Sequence, residues 1–301
     1  MPQFDVHTNK PVAIDSPDHI TPHGTKNDNS KNIMFNMKVD SLYARDPLWI
    51  LDLGCSGGGF IKSCIEDGHH GVGLEGSDYS KKHKRAEWAT IPNNLFTCDI
   101  TAPFRITATE NGEETDARFD LITSWECLEH IRSDDLPQVC ENIKAHLKPH
   151  GLFIGSISSN EEIIDGTVLH QSVHPQEWWL DLFRKHGLIH HPDIVAYFGN
   201  DWIRGPRQFA PRSWHVALST SLEIPRPLRD FEYTLDQAFA GILQAVNSGN
   251  TDYALHLCER FRHDHNTDVR LISLHAICIL SHWINIDPQN TFPKKVMDMF
   301  G

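Results

Sequence analysis

Ile50-Leu51-Asp52-Leu53-Gly54-Cys55-Ser56-Gly57-Gly58-Gly59-Phe60 is an apolar run with one embedded acid that gives way to a glycine-dense turn. Such a run reads as a buried parallel strand that must hand over at once to a helix. Glycine permits the tight turn and lets main-chain N–H groups approach a ligand with no Cβ in between. The helix opening near Gly59 offers unpaired N–H groups and the positive end of its dipole. A ligand bearing a carboxylate or a phosphate is expected at this turn.

Downstream, strand and helix signals alternate, which argues for a parallel sheet with helices on both faces. Phe60 to Asp67 reads as a short helix stopped by Gly68, and Gly71-Val72-Gly73-Leu74-Glu75 as the second strand. Glu75 lies about 20 residues beyond the turn, where a strand-end carboxylate can accept both ribose hydroxyls of an adenosine. Ser80 to Ala89 reads as a helix and Asn94 to Ile100 as the third strand. Thr101 to Arg118 reads as a polar connection turning at Asn111-Gly112, and Phe119 to Trp125 as the fourth strand. Ser124 and Trp125, at its carboxyl end, should line the crevice in which open parallel sheets bind ligands. Ser133 to Leu147 is a helix candidate, Leu152 to Ile157 the fifth strand, and Pro175 to His186 another helix. Leu188 to Tyr197 and Trp214 to Thr220 suit the last two strands.

The flanks differ from this centre. Residues 1–40 are expected to form an irregular arm, polar and without sustained periodicity to about Lys31. Its stretch from His23 to Ser30 is dense in hydrogen-bonding groups and reads as a lid over a pocket or as a loose tail. Ile33 to Tyr43 is a helix candidate that would pack onto the sheet. Residues 41–224 form the central domain, and 225–301, opening on Pro225-Arg226-Pro227, a helical extension. Thr234 to Val246, Thr251 to Arg262 and Val269 to Trp283 carry its helical spacing. Gly249-Asn250-Thr251-Asp252-Tyr253-Ala254-Leu255 resembles the middle of a tetratricopeptide repeat, where a small alanine lets helices pack closely. The segment is too short for a free-standing solenoid. It should dock on the central domain, a protein partner or a second subunit.

Composition limits the function classes. The 301 residues are 40% hydrophobic, enough for one large domain and a small one. No apolar run is long enough to span a membrane, and the first residues lack the basic-then-apolar pattern of a secretory signal. Cysteines 55, 64, 98, 127, 140, 258 and 278 form no C-x-x-C pair and read as reduced thiols of a cytoplasmic protein. A net charge of −13 repels phosphate backbones and makes nucleic acid an unexpected partner. The basic run Lys81-Lys82-His83-Lys84-Arg85 reads as exposed helical turns.

From Gly54 the chain reads G-C-S-G-G-G, so Ser56 breaks the dinucleotide pattern G-x-G-x-x-G. Asp52-Leu53-Gly54-Cys55 instead resembles the first motif, D-x-G-x-G-x-G, of class I S-adenosylmethionine (SAM)-dependent methyltransferases. Ser56 is a small-for-small change in it. Glu75, Asp99, the strand opening Phe119-Asp120-Leu121-Ile122, and Leu147-Lys148-Pro149 follow in that family's order over about residues 45 to 221. The resemblance implies a Rossmann-like α/β fold: a seven-stranded, mostly parallel sheet with helices on both faces and a final antiparallel pair. It implies SAM as methyl donor. Asp52, Gly54, Ser56 and Gly57 would then shape the methionine end, Glu75 would hold the ribose, and Asp99 with Ile100 the adenine. Ser124 and Trp125 would border the sulfonium.

Strand four runs into Glu126-Cys127-Leu128-Glu129-His130-Ile131. On a helical turn positions 126, 129 and 130 share a face, which joins two carboxylates to an imidazole beside the crevice. Three readings stay open. The group orders the loop by hydrogen bonds; or His130 is a general base oriented by Glu126 or Glu129; or the cluster holds a metal. The E-x-x-E-H spacing resembles the divalent-cation site of small-RNA 2′-O-methyltransferases, completed by a later histidine, here His170 or His174. Oxygen and imidazole ligands suit magnesium or manganese. Trp178-Trp179 reads as a core anchor or a sugar platform, and Asp201-Trp202-Ile203-Arg204 as a candidate acceptor wall. The expected acceptor is a hydroxyl of a sugar or small molecule. An RNA 2′-hydroxyl, a non-catalytic SAM-binding scaffold and a dinucleotide oxidoreductase are the alternatives.

Overall fold

The computed structural model describes residues 2–17, 28–44, 47–207, 210–227, 231–263, 265 and 267–286. The first half runs β1 (Gln3–Thr8), α1 (Ile33–Tyr43), β2 (Trp49–Leu53), α2 (Gly59–Glu66), β3 (His70–Glu75), α3 (Tyr79–Lys82), β4 (Leu95–Thr97), β5 (Phe104–Glu110), β6 (Glu113–Asp116) and β7 (Phe119–Trp125). It continues with α4 (Leu136–His146), β8 (Leu147–Ser158), β9 (Ile163–Ile164), β10 (Thr167–Val168), α5 (Gln176–Lys185), β11 (Ile189–His190), α6 (Pro192–Phe198) and β12 (Ser213–Ser219). Three helices close the described chain, α7 (Leu235–Asn247), α8 (Thr251–Arg262) and α9 (Val269–Ile286).

The main sheet has seven strands in the order β11-β12-β8-β7-β2-β3-β4. The pairs among β8, β7, β2, β3 and β4 are parallel, while β12 runs antiparallel to both β8 and β11. The order reverses between β2 and β7. Their carboxyl ends therefore open the crevice in which a sheet of this class binds ligands. Adjacent residues face opposite layers, as a pleat of period two requires. Leu51, Ile122 and Phe153 join the core under α4 and α5, while Ile50, Leu121, Leu152 and Ile154 join the core under α1, α2 and α6.

The structure differs from the expected layout in five places. The arm contributes a strand: β1 pairs antiparallel with β5, Phe4 opposite Ala108 and Val6 opposite Ile106. Phe4 packs edge-on against Trp49 with ring centroids 5.4 Å apart. The polar connection 101–118 is a hairpin whose strands β5 and β6 meet at Asn111-Gly112, both with positive φ (51° and 84°), as a two-residue hairpin turn requires. Third, the helix expected over Ser80 to Ala89 breaks after Lys82, with Lys84 and Ala86 at positive φ. The break lets Arg85 donate to Ser56 Oγ (2.9 Å) and Trp88 Nε1 donate to the Ser56 carbonyl (2.8 Å), so this segment buttresses the glycine turn. Fourth, the third and fifth strands differ in length, shorter as β4 and longer as β8. Last, only Ile189 and His190 of the stretch 188–197 pair as a strand, because Pro192 opens α6.

The three C-terminal helices fall where their periodicity placed them. They enclose a core of Ile242, Tyr253, Leu257 and Leu271, to which Met34 of α1 contributes. Asn32 caps α1, its Oδ1 accepting from the Met34 N–H. Among the described residues no helix is long and apolar enough to cross a membrane.

Candidate active site

The site is built from the glycine turn upward. Gly54 has φ 79°, and a Cβ there would lie 2.6 Å from Cys127 Sγ, so only glycine fits between β2 and the loop after β7. Ser56 takes φ 48° without being glycine. Its N–H donates to Glu75 Oε2 (2.7 Å), and its hydroxyl donates to the Asp28 carbonyl (3.1 Å) while accepting from Arg85. The segment leading into α1 therefore lies over the turn: a Cβ on Gly57 or Gly59 would meet Asp28 or Asn29 at 2.5–2.7 Å. This is the described end of the stretch read as a lid; 18–27 fall outside the described residues.

Above the turn is a cavity of ≈ 210 Å³, lined among others by Asp52, Gly54, Ser56, Glu75, Asp99 and Trp125. Asp52 is buried, its Oδ1 accepting from Thr123 Oγ1 at 2.7 Å. Burial, with Glu75 adding to it, pushes its pKa up to about 7 against the opposing Thr123 bond. Glu75 is likewise raised by burial, opposed by the Ser77 and Ser56 N–H groups it accepts from. Asp99 accepts from Thr101 N–H and hydroxyl, with Lys10 Nζ 3.8 Å from its other oxygen. Ile100 also lines the cavity. Gly57 and Ser124 do not: Gly57 lies beneath Asn29, and Ser124 is buried with its hydroxyl donating to the Leu53 carbonyl (3.0 Å). Sequence reading missed Lys10, Ala13 and Asp15, which reach the cavity because β1 anchors their segment.

A second cavity of ≈ 250 Å³ shares Asp28, Trp125, Glu126, His130 and Arg204 with the first and adds Glu162 and His170. Glu126, at φ 50°, accepts from Ser213 Oγ through Oε2 (2.7 Å), and its Oε1 has no partner among the described residues. Burial raises its pKa. His130 Nδ1 is also buried and likewise has no partner among the described residues. Burial, then His170 and Arg204, lowers its pKa to about 3. Glu129 departs from the expected face. Leu128–His130 is a 3₁₀ turn, which sends the Glu129 carboxylate inward, 0% exposed, to accept from the Ser158 N–H (2.9 Å).

In place of Glu129 stands Glu162. Its Oε2 lies 3.0 Å from His170 Nε2, while His170 Nδ1 faces the Asn160 carbonyl and its ring meets His130 edge-on at 4.7 Å. One ligand atom each of His130, Glu162 and His170 lies within 4.8 Å of the others. Asp165-Gly166, both at positive φ, turn the small hairpin β9–β10 that carries Glu162 and His170 at its base. His174 is elsewhere, hydrogen-bonded to Ser133 Oγ (2.8 Å) and stacked on Trp178. Trp179 is a core anchor. Of the stretch read as an acceptor wall, Ile203 and Arg204 line the first cavity and Arg204 the second as well, whereas Asp201 and Trp202 are buried.

Among curated proteins none matches the sequence. Similar solved structures include a SAM-dependent methyltransferase from Clostridium acetobutylicum, 15% identical, with 61% of this chain and 88% of that chain covered and a TM-score of 0.42. Another, from Mesorhizobium loti, is 15% identical over 61% of this chain and 96% of that chain, with a TM-score of 0.41. The Burkholderia thailandensis 1,6-didemethyltoxoflavin-N1-methyltransferase, with bound 1,6-didemethyltoxoflavin and S-adenosylhomocysteine, is 18% identical over 67% of this chain and 83% of that chain, TM-score 0.43. A family model described as a methyltransferase domain matches residues 26–197, from the segment over the glycine turn to the end of α6. With the glycine turn, the switch-point cavity and that match over more than half its length, the chain belongs to the methyltransferase domain family and is a SAM-dependent methyltransferase.

Proposed function

We propose that the chain methylates a hydroxyl oxygen of a sugar or another small polyhydroxylated molecule. The observation that carries this reading is the cluster of Glu126, His130, Glu162 and His170 in the wall of the acceptor cavity. In an in-line displacement the oxygen–methyl bond forms as the sulfur–methyl bond breaks, leaving S-adenosylhomocysteine, and the hydroxyl proton must leave. Asp52, Gly54 and Ser56 would hold the methionine end, Glu75 the ribose, and Asp99 with Ile100 the adenine. Trp125, shared by both cavities, would border the reacting methyl.

The roles expected of Glu126 and His130 exchange. An imidazole with a pKa near 3 is neutral at working pH and a weak base, suited to orient the hydroxyl. Glu126 has a free carboxylate oxygen and a raised pKa, and takes the proton. The acceptor cavity also carries Asp28, Glu161 and Glu162, an acidic wall that suits a neutral acceptor better than an RNA backbone. Incubation with SAM and a panel of sugars and polyols, followed by S-adenosylhomocysteine release and mass spectrometry, tests the reading. Turnover confined to amines or to RNA overturns it.

A divalent ion is the second reading, favoured by the mutual approach of His130, Glu162 and His170. If His170 Nδ1 donates to the Asn160 carbonyl, its Nε2 lone pair faces a carboxylate oxygen at 3.0 Å. That contact is attractive only with a proton or a cation between them. Two neutral imidazoles and one carboxylate suit manganese better than magnesium. Such an ion would lower the pKa of a bound hydroxyl. Loss of turnover on chelation, restored by manganese in the native chain and not in Glu162→Gln, is its expected signature.

A further inference from the structure

The helical extension is tied to the active site through one buried acid. Asp201, in the turn after α6, is 0% exposed. Its carboxylate accepts from Lys38 of α1 (2.7 Å), Arg260 of α8 (3.0 Å), Tyr253 of α8 (2.9 Å) and Tyr233 ahead of α7 (3.0 Å). Burial works to raise its pKa, but Lys38 and Arg260 hold it below the ordinary carboxylate range. A carboxylate with four donors from three segments fixes all of them at once.

Immediately beyond Asp201 the chain forms the cleft wall. Trp202 stacks on His215 at 4.0 Å, and His215 Nε2 faces the Arg204 carbonyl at 2.9 Å. Arg204 borders both cavities and donates to Asp28 Oδ2 (2.5 Å). The helices hold the other side of that ion pair as well. Asn32, four residues beyond Asp28, donates to the Trp202 carbonyl (2.8 Å) and to the Tyr253 hydroxyl (3.2 Å). The Ile33 N–H donates to Gln244 of α7 (2.9 Å). Gly241 of α7 lies so close to Met34 that a Cβ would come within 2.3 Å of its sulfur. Two chain segments thus meet at Asp28–Arg204; α8 grips both, and α7 grips the one that leads into α1.

We propose that the C-terminal helices position the active-site wall: through Asp201, Arg260 and Tyr253 they set where Asp28 and Arg204 meet, so that cofactor binding and helix docking are coupled. Arg260 and Tyr253 are positioning residues, remote from the reacting atoms. Coupling is reciprocal by linkage. Cofactor must stabilise the docked helices as much as docked helices favour cofactor. The inference rests on SAM binding alone and not on the nature of the acceptor.

Two measurements on the full chain test it. Saturating S-adenosylhomocysteine should slow amide hydrogen exchange in α8 of the native protein, although α8 lines neither cavity. Calorimetric titration should show its affinity falling at least fivefold in Arg260→Met and in Tyr253→Phe, with Arg260→Lys recovering most of the loss. Asp201 itself is a poor choice, since its removal leaves Lys38 buried without a counter-charge. Unchanged exchange in α8, or affinity within twofold of native in both folded variants, overturns the proposal. If hydroxyl acceptors fail while α8 is protected by cofactor, the coupling stands and only the acceptor reading falls.

Discussion

The two ends of the cleft treat their buried polar atoms in opposite ways. At the cofactor end Glu75 accepts from two main-chain N–H groups, Asp52 from Thr123, and Ser56 is engaged at N–H, carbonyl and hydroxyl. Asn29 Oδ1 is the exception there. At the acceptor end Trp125 Nε1, Glu126 Oε1, Glu129 Oε2, His130 Nδ1 and Arg204 Nε are buried and have no hydrogen-bond partner among the described residues. Each such atom costs about 1–3 kcal/mol. The cofactor end is therefore part of what holds the fold together, whereas the acceptor end keeps its groups available at the expense of stability.

That contrast is most exposed to failure at Glu126. Glu126→Gln keeps the shape and the Ser213 contact but removes the proposed base. A fall in kcat of about 10³ is expected, with cofactor affinity within twofold of native. Thermal unfolding should show stability unchanged or raised by about 1 kcal/mol, because a buried carboxylate has been replaced by an amide. A large loss of stability would mean that the acceptor end is structural after all. Glu75→Ala is the opposite case. It orphans the Ser56 and Ser77 N–H groups, so affinity for S-adenosylhomocysteine should fall about 100-fold and stability by about 2 kcal/mol together. Calorimetry and melting on one variant decide whether the two losses are joined.

His130 sharpens the comparison through pH. Its folded pKa, about 3, lies below the ordinary 6.5. The neutral ring therefore contributes stability that is present above pH 6.5 and is lost as pH falls toward 3. At pH 5 the penalty is about 2 kcal/mol. His130→Gln should lose that much less stability than the native chain between pH 7 and pH 5, measured by denaturant titration at each pH. Equal losses would show that the ring is solvated.

The cofactor end was legible because its signals are local. The spacing around Gly54 and the apolar runs fixed β2 and β7, and the acid closing β3 fell at Glu75. The departures have long-range causes. β1 finds its partner about a hundred residues away, which no window reveals. The helix expected over 80–89 breaks because Arg85 and Trp88 are claimed by Ser56, a competition invisible in the propensities of either segment. At the acceptor end His170 was legible only through family resemblance. Glu162 was not legible, since its approach depends on a four-residue hairpin and the 3₁₀ turn that withdraws Glu129. Local pattern specifies the half of the cleft that is also its most fully hydrogen-bonded part.

The smallest expected effect tests the cofactor end at Asp52. Its pKa is raised to about 7, mainly by burial. In the free protein the protonated carboxyl contributes stability that is complete below its unfolded pKa, near 4, and is lost as pH rises through 7. At the methionine end proposed for Asp52, the ammonium group of SAM requires the other form. An uncharged Asp52 offers it no counter-charge, so binding should strengthen with pH while the free protein weakens. For a single group titrating at 7, the ionised fraction rises about tenfold from pH 6 to pH 8. S-adenosylhomocysteine affinity should rise by about that factor across this range in the native chain and stay flat in Asp52→Asn. A flat native profile would mean that Asp52 is ionised throughout and that the Thr123 hydrogen bond outweighs burial.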